Sequence, residues 1–263
     1  MTRLSKVFEN TDQAKLIAYI CALDPNWETS RRAAFSLIRS GIDVLELGVP
    51  FSDPLADGKT NQLAAERALE NGATPDQVLD LVKELREEFP SLPIVLYTYY
   101  NLVFNKGVEH YVRASKEAGV DAILALDLPP EESSELTQAC QTHEVDQIFL
   151  ITPTTPEARI PTIVKDASGF IYYVSREGVT GERDSVASDL QEKLSSIKKH
   201  TNLPAGVGFG ISNGSHVRQV AAHAEAVIVG SSIVKIIEKH GSNPDEMSRL
   251  LEEKIKDLRS GLS

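Results

Sequence analysis

Residues 44–58 of the chain have the sequence VLELGVPFSDPLADG, in which an apolar run leads into a loop rich in Pro, Gly and Asp. Residues 44–47 form a short apolar run, which is typical of a buried β-strand. One carboxylate, Glu46, lies within this run, and the loop that follows adds Asp53 and Asp57. An acid near the carboxyl end of a strand, followed by an acid-bearing loop, is the arrangement with which α/β enzymes position catalytic groups.

The acid inside the strand allows two interpretations. Burying a carboxylate costs several kcal/mol unless it is paired with a cation or carries a proton. Glu46 is therefore either a structural acid that pairs with an Arg or Lys elsewhere, or a functional acid whose pKa is raised by burial. The strand by itself leaves both interpretations open.

Seven further apolar runs repeat the strand pattern along the chain. They lie at residues 16–21, 93–97, 122–126, 148–151, 170–174, 205–207 and 226–229. Helical spacing fills the intervals, which indicates a parallel sheet covered on both faces. Eight units in 263 residues predict a (β/α)8 TIM barrel, with a short helix near the N-terminus and a single domain over residues 1–263. A doubly wound open sheet is the alternative, but the turn at residues 22–25 lacks the glycines that such a fold usually carries there.

Composition excludes several function classes. The net charge of −11, from 27 basic and 38 acidic residues, argues against a broad nucleic-acid surface. The only two cysteines, Cys21 and Cys140, give neither a disulfide framework nor metal-ligand spacing, and the six histidines contain no metal-binding pair, so no metal is predicted. No apolar run is long enough for a membrane span, and residues 1–9 lack a signal-peptide core. We expect a cytoplasmic protein.

Glycine clusters follow each of the last three predicted strands. They are Gly178-Val179-Thr180-Gly181, Gly208-Phe209-Gly210 and Gly230-Ser231-Ser232. Loops at the ends of the last strands, with a helix N-terminus, form the usual phosphate site of a TIM barrel, because backbone N–H groups can approach an anion closely there. Turns between strands and helices also use glycine for conformational reasons alone. The three clusters together predict a phosphate-bearing ligand, with the Ser231 hydroxyl as an additional donor.

Two further polar residues lie near strand ends. Tyr172, if it points into the barrel, could donate a hydrogen bond to Glu46 across the barrel mouth. Asp127 follows the fourth strand, and is either a third acid of the site or the N-cap of the helix after it.

The motifs together resemble the α subunit family of tryptophan synthase, nearly from end to end. The matching segments are residues 45–58, 99–107, 127–129, 172–181, 208–212 and 230–237. The resemblance implies cleavage of indole-3-glycerol phosphate to indole and glyceraldehyde 3-phosphate. It also implies a partner, a pyridoxal-phosphate-dependent β subunit in an α2β2 assembly, which receives the indole through a tunnel. This chain itself would need no cofactor.

The resemblance also implies roles for individual residues. Glu46, with a raised pKa, would act as general acid, and Asp57, in a wetter loop, would stay ionised and accept the indole N–H. Tyr172 would orient Glu46. The remaining substrate-binding positions divide between the phosphate (Thr180, Gly181, Gly210, Gly230 and Ser231) and the indole ring (Tyr19, Tyr99, Leu126 and Phe209).

Three residues depart from the family pattern close to the site. Leu23 replaces a glycine, Lys59 replaces a proline, and Asn61 replaces an isoleucine. We expect these changes to leave Glu46 and Asp57 untouched but to alter loop closure. These changes leave open the alternative that the chain is a catalytically weakened α subunit that mainly activates the β subunit. A different phosphate-binding barrel enzyme is a third hypothesis, although no strand end offers the lysine that a Schiff-base aldolase requires.

Overall fold

The computed structural model describes residues 2–9, 12–175, 183–208 and 210–262. Its strands are β1 (Lys15–Cys21), β2 (Val44–Gly48), β3 (Ile94–Thr98), β4 (Ala122–Ala125), β5 (Asp146–Gln147), β6 (Phe149–Ile151), β7 (Ile171–Val174), β8 (Ala205–Gly208) and β9 (Ala226–Val229). Its helices are α1 (Arg3–Val7), α2 (Trp27–Arg39), α3 (Lys59–Glu70), α4 (Pro75–Glu88), α5 (Tyr100–Lys106), α6 (Val108–Ala118), α7 (Ser134–Thr142), α8 (Ile160–Lys165), α9 (Arg183–Lys198), α10 (Gly214–Ala221), α11 (Ser231–His240) and α12 (Pro244–Arg259). Short 3₁₀ turns lie at Pro130–Glu132 and Glu157–Arg159.

The strands form one parallel sheet in the order β5-β4-β3-β2-β1-β9-β8-β7-β6. Strands β5 and β6 are two pieces of one strand that is interrupted at Ile148, whose backbone N–H still donates to the Ile123 carbonyl at 3.0 Å. The first piece pairs with β4 and the second with β7, so the sheet curves round to its starting edge. The predicted (β/α)8 TIM barrel is confirmed, with its fifth strand divided and beginning two residues earlier than the sequence indicated.

Local sequence signals account for where the helices begin. Helix α4 begins at Pro75 because the Thr74 hydroxyl accepts from the Gln77 backbone N–H while the Gln77 side chain accepts from that of Thr74. Asn26 caps α2 in the same manner, through a hydrogen bond from the Thr29 backbone N–H. These caps satisfy N–H groups that the helix itself leaves unpaired, which fixes the point where each loop becomes a helix.

The barrel interior is a compact apolar cluster whose amino end is filled by α1. Leu4 from this helix is fully buried among interior residues that include Ile17, Val44 and Phe170. The ring of Phe8 packs against that of Phe170 with centroids 6.0 Å apart. The short N-terminal helix predicted from the sequence is confirmed, and it leaves the carboxyl end of the strands as the place for polar chemistry.

No helix in the described ranges is both long enough and apolar enough to cross a membrane.

Candidate active site

Glu46 lies on β2, in register with Tyr19 of β1 and Val95 of β3. Its side chain is 1% exposed, and both carboxylate oxygens are buried without a hydrogen-bond partner. Loss of hydration, reinforced by the negative charge of Asp57, raises the pKa of Glu46 from 4.5 to about 8. No Arg or Lys pairs with it among the described residues, so within this part of the chain Glu46 is not a structurally paired acid.

Asp57 has a different environment, built from donors on three elements. Its Oδ1 accepts from the Tyr97 hydroxyl at 2.8 Å and from the Asn61 amide at 3.4 Å, and its Oδ2 accepts from the Tyr99 hydroxyl at 2.8 Å. Burial raises the pKa of Asp57 above its usual value, and hydrogen bonds from Tyr99, Tyr97 and Asn61 offset part of this rise. The carboxylate is therefore partly buried and held by protein donors, and the expectation that it lies in a wet loop is corrected.

Tyr99 ties the acid-bearing loop to the sheet. Its hydroxyl donates to Asp57 and also accepts from the Ala56 backbone N–H at 3.0 Å, and its ring stacks on Phe51 with centroids 5.0 Å apart. Tyr99 therefore contacts the loop that carries Asp57, which the sequence did not indicate.

The tyrosines at the barrel mouth pack against glycines that leave room for them. Tyr19 meets the Tyr97 ring edge-on, with centroids 5.0 Å apart, and a side chain at Gly48 would collide with its hydroxyl. A Cβ at Gly230 would lie 3.1 Å from the Tyr19 ring, so a side chain there would require a small shift of the tyrosine.

Tyr172 points into the barrel but does not hydrogen-bond Glu46. Burial and the nearby charge of Glu46 raise the pKa of the Tyr172 hydroxyl, which shows that the two side chains are neighbours. Both oxygens of Glu46 nevertheless lack a partner, and the Tyr172 hydroxyl lies over Gly208, where a Cβ would be 2.6 Å away. The predicted hydrogen bond is therefore wrong for this structure, because the space above Gly208 accommodates the hydroxyl instead.

Asp127 does not cap the helix that follows it. Its side chain is exposed and accepts from the Tyr100 backbone N–H at 2.7 Å, at the start of α5. The N-cap position of the 3₁₀ turn that follows Asp127 is Pro129, and no side chain caps this turn. Asp127 therefore stabilises the N-terminus of the helix of the preceding unit, and the prediction that it caps its own helix is wrong.

The predicted phosphate residues that the structure describes lie after β8 and β9. Gly230 is the N-cap of α11, Ser231 is the exposed first residue of that helix, and Gly210 adopts a left-handed φ of 72°. The first-turn N–H groups of a helix have no intrahelical partner and favour an anion. Thr180, Gly181 and Phe209, also predicted to bind substrate, lie outside the described residues. The predicted indole neighbour Leu126 packs against the interior cluster.

The three departures near the site have distinct structural outcomes. Leu23 is buried in a left-handed conformation with φ of 64°, which favours glycine, and Lys59 is the exposed first residue of α3. Asn61 donates to Asp57, so the expectation that these changes leave the acids untouched is wrong.

Tyr97 was not predicted to donate a hydrogen bond to Asp57. The alternation of side chains along β3 could have indicated this contact. Tyr97 lies two residues after Val95, which is in register with Glu46, so Tyr97 and Val95 face the same side of the sheet.

The chain is similar over nearly its whole length to known proteins of one family. The family model described as "Tryptophan synthase alpha chain" matches residues 6–262. A tryptophan synthase alpha chain from Opitutus terrae is 53% identical over 99% of both chains. The crystal structure of tryptophan synthase subunit alpha from Legionella pneumophila has a TM-score of 0.91 at 33% identity, covering 100% of this chain and 98% of that one. A chain of the tryptophan synthase complex from Pyrococcus furiosus has a TM-score of 0.84 at 34% identity, covering 95% of this chain and 99% of that one. This chain belongs to the tryptophan synthase alpha chain family.

Proposed function

We propose that Glu46 and Asp57 carry out the carbon–carbon lyase reaction of this family, the cleavage of indole-3-glycerol phosphate to indole and glyceraldehyde 3-phosphate in tryptophan biosynthesis. One observation carries the proposal. Two acids face one barrel mouth, and their surroundings separate their protonation: Glu46 has no partner, whereas Asp57 is held by three donors. Two carboxyl groups in unlike environments are the usual basis for assigning an acid and a charged stabiliser.

The reaction begins with a proton transfer from Glu46. With a pKa of about 8, the buried carboxyl is largely protonated at neutral pH and can protonate the indole carbon that bears the glycerol side chain. The ring then carries positive charge, which the Asp57 carboxylate stabilises by accepting the ring N–H.

The bond then breaks as a retro-aldol step. The Glu46 carboxylate removes the proton of the hydroxyl next to the ring, that C–O becomes the aldehyde carbonyl, and the electrons of the C–C bond return to the ring. Indole and glyceraldehyde 3-phosphate result, and Glu46 has regained its proton.

The substrate phosphate is assigned to the N-terminus of α11. The exposed Ser231 begins this ten-residue helix, and the left-handed turn at Gly210 lies at the end of the neighbouring strand. The first-turn N–H groups and the Ser231 hydroxyl supply donors without a lysine, as Thr180 and Gly181 would from the preceding loop.

The acids are tested by replacing each with its amide. Glu46→Gln should abolish nearly all release of indole from indole-3-glycerol phosphate, and Asp57→Asn should lower it by about 10²-fold or more. Both variants should bind glycerol phosphate as the parent does, because the phosphate site lies after other strands. Turnover by Glu46→Gln close to that of the parent would refute the mechanism. The intact pair of acids favours the active enzyme over a subunit that serves mainly as an activator.

The partner we propose is a pyridoxal-phosphate-dependent β subunit in an α2β2 assembly, with this chain contributing no cofactor and both subunits in the cytoplasm. Large apolar side chains are exposed after adjacent strands: Leu55, which is 90% exposed, after β2, and Phe104, 63% exposed, in α5 after β3. Both follow carboxyl ends of the sheet, where the acids lie. A partner that covers them would restrain the loop of Asp57 and so raise the population of the closed site.

This proposal predicts reciprocal activation. Added β subunit should accelerate indole formation, and glycerol phosphate bound here should change the β reaction in return, since coupling between two sites acts in both directions. Leu55→Asp should weaken the activation while leaving the rate of the isolated chain within about twofold of the parent. Unchanged rates of both reactions at saturating β subunit would exclude the partnership.

A further inference from the structure

The carboxylate of Asp57 receives more donors than loop packing alone requires. Tyr99 is accounted for by its additional contacts with Ala56 and Phe51. Tyr97, in contrast, lies in β3, and its hydroxyl donates to Asp57 at a distance of 2.8 Å. No other hydrogen bond of this hydroxyl is found among the described residues. Its contribution is therefore directed at the carboxylate.

Asn61 gives an independent indication of the same kind. It lies four residues after Asp57 in the first turn of α3, so its amide reaches back to the carboxylate, at 3.4 Å. Its Oδ1 is buried without a hydrogen-bond partner. A buried amide oxygen without a partner destabilises the fold, so its retention calls for an explanation beyond packing.

We propose that Tyr97 and Asn61 are positioning residues that hold Oδ1 of Asp57, so that the remaining acceptor position of this carboxylate, on Oδ2, faces the substrate N–H. The inference rests on the proposed function. A carboxylate has about four acceptor positions. Tyr97 and Asn61 occupy both of those on Oδ1, and Tyr99 occupies one on Oδ2. The acid is thereby fixed in orientation before substrate arrives, which is the condition for electrostatic stabilisation without reorganisation.

The positioning role can be measured through the pH at which Asp57 takes up a proton, because loss of its charge should lower the rate of the reaction. The titratable groups that sense its charge are Glu46, Tyr19 and Cys21, Tyr97 and Tyr99, and Tyr172. Burial raises the pKa of the four tyrosines and of Cys21, so among these described neighbours only Glu46 titrates alongside Asp57 below about pH 9. The two acids give coupled limbs in a pH profile, with the acid limb governed by loss of the Asp57 charge.

The test is Tyr97→Phe, which removes one oxygen and keeps the ring. We expect kcat for indole release at pH 6 to fall about tenfold, and the midpoint of the acid limb to move up by about one pH unit, because a hydrogen bond that favours the charged carboxylate is lost. Affinity for glycerol phosphate should not change. Tyr111→Phe is the matched control, since Tyr111 is a buried tyrosine of α6 whose hydroxyl contacts Thr98 and not Asp57.

A second variant and a double mutant distinguish positioning of Asp57 from a general effect on the structure. Asn61→Leu should shift the acid limb in the same direction by a smaller amount, about threefold in kcat, because its hydrogen bond is longer. Combined with Asp57→Asn, Tyr97→Phe should change kcat by less than about twofold, since the group that it positions has lost its charge.

Two results would overturn the inference: an acid limb of Tyr97→Phe and Asn61→Leu that matches the parent, or a tenfold loss from Tyr97→Phe that persists beside Asp57→Asn. The proposed function is judged separately. If Asp57→Asn is impaired while Tyr97→Phe behaves as the parent, the reaction mechanism stands and only the positioning role is wrong.

Discussion

Replacing Glu46 by Gln should make the fold more stable at alkaline pH while removing activity. The reason is the proton that the folded chain keeps on this buried carboxyl. In the unfolded chain the pKa of Glu46 returns to about 4.5, whereas in the folded chain it is about 8. Between these values the folded state binds a proton that the unfolded state has released, so stability falls as the pH rises.

The size of the effect follows from the same two values. They differ by roughly 3.5 pH units, and each unit corresponds to about 1.4 kcal/mol, which gives an upper limit near 5 kcal/mol. The loss is absent below about pH 4.5, grows through neutral pH and is complete above about pH 8. The amide introduced by Glu46→Gln has no ionisable proton, so this variant should not share the loss.

Urea unfolding at a series of pH values from 5 to 9 measures the difference in unfolding free energy between variant and parent. We expect this difference to rise in favour of Glu46→Gln by several kcal/mol across the series, with unchanged m-values. Glu135→Gln, at an exposed glutamate of α7, controls for removal of a negative charge and should give a flat difference. A flat difference for Glu46→Gln as well would show that Glu46 is ionised in the folded chain at neutral pH, which would refute its role as general acid.

Three further predictions concern other parts of the chain. At Leu23, whose φ is 64°, replacement by Gly should be less destabilising than replacement by Ala by about 1 kcal/mol in thermal unfolding, and the order should reverse at Leu37 inside α2. Arg67→Met should destabilise the chain by about 3 kcal/mol at pH 7, because it leaves the buried Asp24 carboxylate without its two 2.8 Å hydrogen bonds. Burial raises the pKa of Asp24, so this deficit should shrink as acid protonates the carboxyl; a pH-independent deficit would contradict the explanation. Ser231→Asp should weaken binding of glycerol phosphate at least tenfold in a calorimetric titration, through repulsion of the anion, whereas Ser231→Ala should lose only a few-fold; equal binding by both would move the anion site elsewhere.

The fold was largely predictable because each strand is a short apolar run and each interval has helical spacing. The buried acid was also predictable, since Glu46 stands out within an apolar strand by composition alone. What the sequence could not provide is which polar groups meet in space. Asn61 was predicted to leave Asp57 untouched, yet the first turn of α3 brings its amide to within 3.4 Å of that carboxylate.

The errors share a physical origin. The Tyr172 hydroxyl could be expected to donate to Glu46 because both face inward, but the vacant space at Gly208 offers it another position. Asp127 could be expected to cap the helix after it, but the parallel sheet places it beside the start of α5 instead. In each case the choice between two partners depends on a few ångströms of tertiary geometry that no local pattern encodes.

Helix α1 fills the amino end of the barrel and so limits the end through which small molecules can reach the interior. Leu4 and Phe8 close that end with apolar side chains, so in the proposed reaction both the substrate and the products would have to pass through the opposite, carboxyl end of the barrel. Leu55 and Phe104, the exposed apolar side chains that follow β2 and β3, lie in the segments after the carboxyl ends of these strands. A protein bound over these two side chains would receive a neutral, apolar product directly, before that product entered the solvent.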